Sequence, residues 1–425
     1  MPAVVLYFQI HQPHRLRRFS VFESSADYFD EAKNAEICRK VADKCYRPAT
    51  RLLLDLARRH AGKFRFAFSV TGTAMEQLET VAPDVVQTLR DLAQTGCCEF
   101  LGETYHHSLA SVFSREEFVD QVELHTRKMQ QVLGVTPTTF RNTELIYGND
   151  LATFLSQWKG EDGSPRFGGC LAEGLDHLLA GRTPDQVFVP PGQPNGRDGK
   201  HFGLLLRNYR LSDDIAFRFS NKAWEHYPLK AETFAAWVGA LKGPVCNLFM
   251  DFETIGEHQW ADTGIFEFVG RLPEAILATN GAGKGNTFQT PAEAIRSNAG
   301  IETYDASAPI SWADSERDLS AWRGNQMQAG ALDEVFRLER MVKERYQQAL
   351  AAGGSDERHA AWELLVDWRR LTTSDHFYYM STKHLADGEV HKYFSPYESP
   401  FDAYINFMNV LDHLKGRLAM VAAGT

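Results

Sequence analysis

Apolar and polar positions alternate along this chain in a repeating order of short strand-like runs and longer helical stretches. Ala3 to Ile10 is an apolar, β-rich run that Pro13 prevents from continuing. Phe64 to Val70 sets Phe64, Phe66 and Phe68 against Arg65, Ala67 and Ser69, the period-two pattern of a strand. Cys97 to Leu101 and Thr138 to Arg141 predict a third and a fourth strand. Val187 to Val189, the core run Leu204 to Leu206, and the buried run from Val245 follow. Helical periodicity lies between them. Asn34 to His60 predicts two helices broken at Pro48, and Thr71-Gly72-Thr73 caps the next helix, in which Thr73 and Glu76 have the spacing of a capping box. Pro83 to Gln94 is helical, Ser114 caps a long helix to Leu133 with Glu117 at its third position, and a short helix is expected over Leu171 to Leu179. Asp213 and Asp214 are expected to cap a helix rather than line a site, and Ala231 to Leu241 and Thr263 to Ala278 are helical. Pro190 to Gly203 predicts a loop, Gly281 to Gly285 and Asp387-Gly388 predict turns, and Thr290-Pro291 starts a further helix.

Strand, helix, strand, helix is the order of a parallel sheet with helical crossovers, which places the chain in the α/β class. Beyond about residue 310 the pattern turns helical. Leu332, Val335, Phe336, Leu338 and Val342 mark one helix, Trp362 to Trp368 another, and Ser399-Pro400 opens a last one. The division expected is 1–310 for the α/β part and 311–425 for a helical domain.

Composition narrows the classes. A chain of 425 residues with 44% hydrophobic and 24% charged positions can bury a sizeable core. A net charge of -10 gives no electrostatic case for nucleic acid or an anionic membrane surface. Cys38, Cys45, Cys97, Cys98, Cys170 and Cys246 form no Cys-x-x-Cys pair, so buried free thiols in a reducing compartment are expected. The apolar run at the N-terminus stops at His11-Gln12-Pro13, too short for a signal peptide or a membrane span, and the expected location is cytoplasmic.

The chemistry gathers where apolar runs end. Val245 to Met250 delivers Asp251, Glu253, Glu257, His258 and Trp260, with Gly256 at a bend. His11 follows the first run, Glu103, His106 and His107 the third, and Glu144 the fourth. Polar residues at the carboxyl ends of parallel strands are how α/β barrels present catalytic groups. Glu144 and Asp251 each follow an apolar strand, and two carboxylates across an acetal are the minimum for glycoside cleavage. The apolar neighbours Phe249, Met250, Phe252 and Ile255 would favour a protonated Asp251. Two other classes use the same residues. His11, His106, His107, Asp251 and His258 could hold a divalent metal for deacetylation, although no His-x-x-x-His or His-x-Asp spacing supports it. A glycan-binding protein without turnover is the third class.

Four segments resemble glycoside hydrolase family 57. They are Phe8 to Pro13, Cys98 to His107, Phe140 to Leu145 and Met250 to His258, with Trp322 to Asn325 and Ser374 to Phe377 as looser candidates for a fifth. The resemblance implies a distorted, TIM-like (β/α)7 barrel followed by a helical domain, and activity on α-1,4-glucans without metal or other cofactor. It carries a nucleophilic role onto Glu144 and the general acid/base role onto Asp251. It implies sugar contacts for His11, Gln12, His106, His107, Glu253, His258 and Asp375, with Trp260 or Trp322 stacking on a ring. The tail from Gly388 to Asn406 is similar to the short α-amylase subgroup, while Asn142-Thr143-Glu144 departs from the Trp-x-Pro-Glu of longer members. Hydrolysis and 4-α-glucanotransferase or branching-type transfer both remain open on these residues.

Overall fold

The computed structural model describes residues 2–193, 201–279, 287–352, 354–383 and 395–423. The turns expected at Gly281 to Gly285 and Asp387-Gly388, most of the Pro190 to Gly203 loop, and the start of the tail from Gly388, including Tyr393 and Phe394, lie outside these residues. The chain divides into two compact units. The first comprises Met1–His11, Ile37–Glu103 and Glu123–Trp312; the second comprises Gln12–Glu36, Thr104–Val122 and Ala313–Thr425. The second unit thus takes in two stretches from the N-terminal part of the chain as well as the helical C-terminal part.

Among the described residues, the first unit is built on nine strands: β1 (Ala3–Ile10), β2 (Phe66–Val70), β3 (Cys98–Phe100), β4 (Phe140–Arg141), β5 (Gly169–Glu173), β6 (Val187–Val189), β7 (Gly203–Arg207), β8 (Val245–Asp251) and β9 (Glu302–Thr303). They form two sheets, ordered β3-β2-β1-β8 and β4-β5-β7-β6-β9. Every neighbouring pair is parallel except β6 with β7.

Two seams join the sheets. At one, Gly102 N donates to Thr139 O at 2.9 Å and Arg141 N donates to Gly102 O at 2.8 Å. At the other, Asn208 N donates to Asn247 O at 2.9 Å, and the Asn247 side chain donates to Leu206 O at 2.9 Å. A buried asparagine on β8 thereby supplies a bond that a regular ladder would have made with backbone. The result is a ring of seven parallel strands, β1, β2, β3, β4, β5, β7 and β8, the (β/α)7 architecture expected.

Strand residues alternate between the faces of the ring. Val4, Leu6, Phe8 and Ile10 of β1 pack outward in one large apolar cluster with the helices. Val5 and Tyr7 point the other way, into a smaller cluster with Leu145, Leu171, Leu205 and Phe249, against which Trp312 packs. Burial on both faces explains why β1 and most of β8 read as near-continuous apolar runs.

Several local expectations change. Gly169–Glu173 is strand β5, and only Asp176–Leu179 is helical; so short an apolar run carries no decisive period. Pro48 does not break the chain's first helical stretch. Glu31–Val41 passes through a π-turn, Ala42–Tyr46, into Arg47–Arg59, and Pro48 sits at the start of the last segment, where a missing N–H costs little. The helix Gly72–Val81 is capped within the expected Thr71-Gly72-Thr73 stretch, by Thr71, which accepts from Ala74 N, and not through the spacing of Thr73 and Glu76. Asn208 caps Tyr209–Ala216, while Asp213 pairs with Arg207 and Asp214 with Arg218. The capping box at Thr290 and Glu293 is present.

The second unit is helical. It contains Gln326–Arg337, Glu339–Ala352, Ser355–Leu371, Ser374–Tyr378 and Pro400–Ala423. Its most buried charge, Glu117, accepts from Arg369 at 2.8 Å and faces Lys343 at 3.1 Å. All six cysteines are buried free thiols.

Candidate active site

In the first unit the polar residues collect at the carboxyl ends of the parallel strands. Gln9 lies opposite Asp251 in the β1–β8 register, and Ser69 lies opposite Gln9 on the other side. Tyr7 Oη donates to Gln9 Oε1 at 2.8 Å and lies 2.6 Å from Ser69 Oγ. Gln9 Nε2 in turn donates to Glu103 Oε1 at 3.2 Å. Burial holds the Tyr7 phenol well above its ordinary pKa; Arg141 opposes that shift, and Glu103 and Asp251 add to it. Glu103, Arg141 and Asp251 therefore share one electrostatic neighbourhood around the Tyr7 ring. His11 Nδ1 lies 2.9 Å from Thr71 Oγ1, which anchors its imidazole at the end of β1.

Glu144 follows β4 on an unusual backbone. Its φ of 55° and that of Leu145 at 51° are both left-handed, a conformation non-glycine residues rarely adopt in succession. The turn is held by Leu145 N and Ile146 N donating to Asn142 O and Thr143 O, and by the Asn142 amide donating to Ile146 O at 3.0 Å. Beside it, Tyr147 and Ile310 exchange backbone hydrogen bonds of 3.0 and 2.8 Å, and Trp312 N donates to Glu144 O at 3.3 Å. The Trp312 indole Nε1 then donates to Glu144 Oε2 at 2.8 Å.

Asp251 closes β8, and a compact loop follows it. Phe252 turns outward against Phe8 and Phe68. Glu253, 8% exposed, accepts a hydrogen bond from the phenol of Tyr46 on the π-turn. Cys45 of the same turn donates to Phe252 O at 3.1 Å. His258 N donates to Glu253 O at 2.8 Å, and burial pushes the His258 imidazole down to about 4, with Glu257 partly countering it. It is neutral at neutral pH and can donate and accept one hydrogen bond each. Gly256 has φ 107°, and a Cβ there would stand 2.1 Å from Lys44 O, so only glycine fits. Glu257 is buried in this loop. It is 6% exposed and pairs with Lys40 at 2.6 Å and Lys44 at 3.4 Å, tying the loop to the π-turn. Trp260 is 59% exposed, with the Lys44 ammonium 5.2 Å from its ring centroid, and its indole is open to a ligand.

The second unit holds the remaining expected residues. Ser374 N donates to His107 O at 2.9 Å, and the Thr373 hydroxyl donates to His106 O at 2.9 Å. These bonds bring His106, His107 and Asp375 together. His107 has a left-handed φ of 50°, and the Asp375 carboxylate lies 3.5 Å from the Tyr379 phenol. Gln12 is buried and accepts from Arg15 at 3.4 Å. Trp322 departs from its expected role: at 2% exposure its indole is a core side chain and offers no open face for a sugar ring.

Sequence reasoning missed Tyr46, Arg141 and Trp312. Tyr46 and Trp312 meet their carboxylate partners 207 and 168 positions away in the chain. Only the polar character of Arg141 within an apolar strand end pointed to anything. Among the described residues, no group of three or more His, Cys, Asp or Glu side chains is placed to hold a metal ion.

Residues 5–306 match the family model described as glycosyl hydrolase family 57. A curated Methanocaldococcus jannaschii protein named "Putative alpha-amylase" is 37% identical over 412 residues, covering 96% of this chain and 83% of its own. The branching-enzyme structure from Pyrococcus horikoshii superposes with a TM-score of 0.67 at 12% identity, covering 97% of this chain and 88% of that one. The 4-α-glucanotransferase structure from Thermococcus litoralis gives a TM-score of 0.57 at 14% identity, and the match covers 88% of this chain but 56% of that one.

Proposed function

The chain belongs to glycosyl hydrolase family 57, a glycoside hydrolase or transglycosylase, and on that premise we propose that it cleaves α-1,4-glucans with retention. The observation that carries this reading is the presentation of Glu144. It leaves β4 on a strained left-handed backbone with one carboxylate oxygen held by Trp312, at the same end of the barrel as Asp251 on β8.

In the first half-reaction the Glu144 carboxylate attacks the anomeric carbon. The bond from that carbon to the leaving oxygen breaks, and Asp251 gives its proton to that oxygen. In the second half-reaction Asp251 takes a proton from water or a sugar hydroxyl, whose oxygen displaces Glu144 from the anomeric carbon. In the first unit His11, Glu253 and His258 hold sugar hydroxyls; within the second, the sugar contacts are His107 and Asp375, with Gln12 and His106 supporting them. Trp260 supplies an aromatic platform for a sugar ring.

Hydrolysis is the first reading, and transfer to an acceptor sugar the second. The 59% exposed indole of Trp260, on the loop that follows Asp251, favours keeping the second, because it offers a platform on which an acceptor ring can stack. Incubation with maltoheptaose separates them: shorter oligomers alone mean hydrolysis, longer ones mean transfer. Glu144→Gln is expected to abolish both, and chelator to change neither. Loss of turnover on chelation would move the reading to a metal-dependent deacetylase-like reaction. Binding without turnover of any α-glucan would leave a glycan-binding protein.

A further inference from the structure

Trp312 has no role in the reaction as written above, yet its surroundings are unusual. The Arg141 guanidinium lies 4.9 Å and the Arg207 guanidinium 5.7 Å from its ring centroid. Arg207 is anchored independently, by Phe249 O at 2.8 Å, Glu173 at 3.2 Å and Asp213 at 2.6 Å. Arg141 is different. It is fully buried, and among the described residues its three guanidinium nitrogens make no hydrogen bond. A buried cation in that state is costly unless another interaction offsets it, and the Trp312 ring is the group its charge lies over.

The backbone selects the same pairing. A regular antiparallel continuation from Tyr147 and Ile310 would bond Trp312 N to Leu145 O. The left-handed pair at Glu144 and Leu145 shifts the register by one residue, so that Trp312 N meets Glu144 O instead. Main chain and side chain of Trp312 therefore both hold the one residue, Glu144.

We propose that Trp312 is the positioning residue for Glu144, its indole N–H fixing the carboxylate and favouring its ionised form, with Arg141 and Arg207 on the ring strengthening that donor. Cations over an indole draw electron density from the ring, which makes the N–H a better donor. A donor to a carboxylate stabilises the anion, the form that attacks. The role of Trp312 in turnover rests on the assignment of Glu144 as nucleophile. The hydrogen bond and its dependence on charge do not.

The test has two arms. In the first, the protein is labelled with ¹⁵N at its indoles and titrated with acid. One of the eight tryptophan indole signals is expected to follow a carboxylate titration in the wild type and to stay in place in Glu144→Gln. Identical titration of all indoles in both proteins overturns the proposal, and this arm needs neither turnover nor a folded Trp312 variant. In the second, Trp312→Phe keeps the ring and removes the donor. Turnover of maltoheptaose is expected to fall about 30-fold in kcat with KM within about twofold, and the acid limb of kcat/KM to move up by about one pH unit. An unmoved acid limb in folded Trp312→Phe, or a change in KM alone, overturns the proposal. A wild-type protein inactive on every α-glucan removes the proposed function, and the indole titration then decides the hydrogen bond separately.

Discussion

The Tyr46 phenol donates its proton to Glu253 Oε1 across 207 positions of chain, from a π-turn to the loop that follows Asp251. A regular α-helix through Ala42–Tyr46 would rotate Tyr46 away, so the extra residue of the π-turn aims the side chain. Removing the hydroxyl in Tyr46→Phe leaves a buried carboxylate short of a donor. The expected loss is about 1–3 kcal/mol of stability in denaturant unfolding. If Glu253 holds a sugar hydroxyl, KM for maltodextrin should rise more than kcat falls.

Gly256 makes a harder demand on the same loop. Gly256→Ala places a Cβ against Lys44 O and asks a residue other than glycine to hold φ 107°. Thermal unfolding should show a loss of at least about 2 kcal/mol, or the variant should fail to accumulate. A stable, fully active Gly256→Ala would show that the loop has another conformation available.

Acid should destabilise the chain through its buried histidines. Burial pushes both His258 and His376 from about 6.5 down to about 4. Between those values the unfolded chain binds protons that the folded chain does not, so stability falls as pH drops through that window, by up to about 3 kcal/mol for each residue. Asp367 works in the opposite direction. Burial raises it to about 6, so its contribution is present at low pH and is lost as pH rises from about 4 to about 6. His376→Gln should flatten the profile between pH 6.5 and 4, as followed by unfolding midpoints in a pH series. A profile unchanged in that variant would mean the imidazole is solvated in solution.

Within the second unit, Lys343 lies within 3.2 Å of Glu116, Glu117, Asp120 and Glu339. Lys343→Met leaves four carboxylates around an apolar side chain, with Arg369 the remaining cation on Glu117. A loss of about 3 kcal/mol is expected. It should be partly recovered in Lys343→Met with Glu339→Gln.

Much of this architecture is legible in the sequence because local and tertiary demands agree. β1 and β8 are apolar throughout most of their length since both faces are covered, and Thr290-Pro291 marks its helix with a capping box that forms. Asp251 stands out because it follows such a run, whereas Glu144 follows the two-residue β4 and stands out through the resemblance of its segment. What is hidden depends on distant partners. β5 resembles a helix until β7 pairs with it. Glu257 looks solvated until Lys40 and Lys44 reach it from the π-turn. Trp312 sits in a polar stretch with no period, and only its bonds to the Glu144 turn give it meaning. The two stretches 12–36 and 104–122 carry no signal that they belong with the helical residues after 312.

The most direct measurement of the central claim is covalent trapping of the intermediate. A 5-fluoro-α-glucosyl fluoride should inactivate the enzyme by forming an ester, and peptide mapping should place the added mass on Glu144. Products of an unmodified α-glucan should appear first as the α-anomer. A label on Asp251, or no label together with a β-anomer as first product, would contradict the assignment of Glu144 as nucleophile and Asp251 as acid/base.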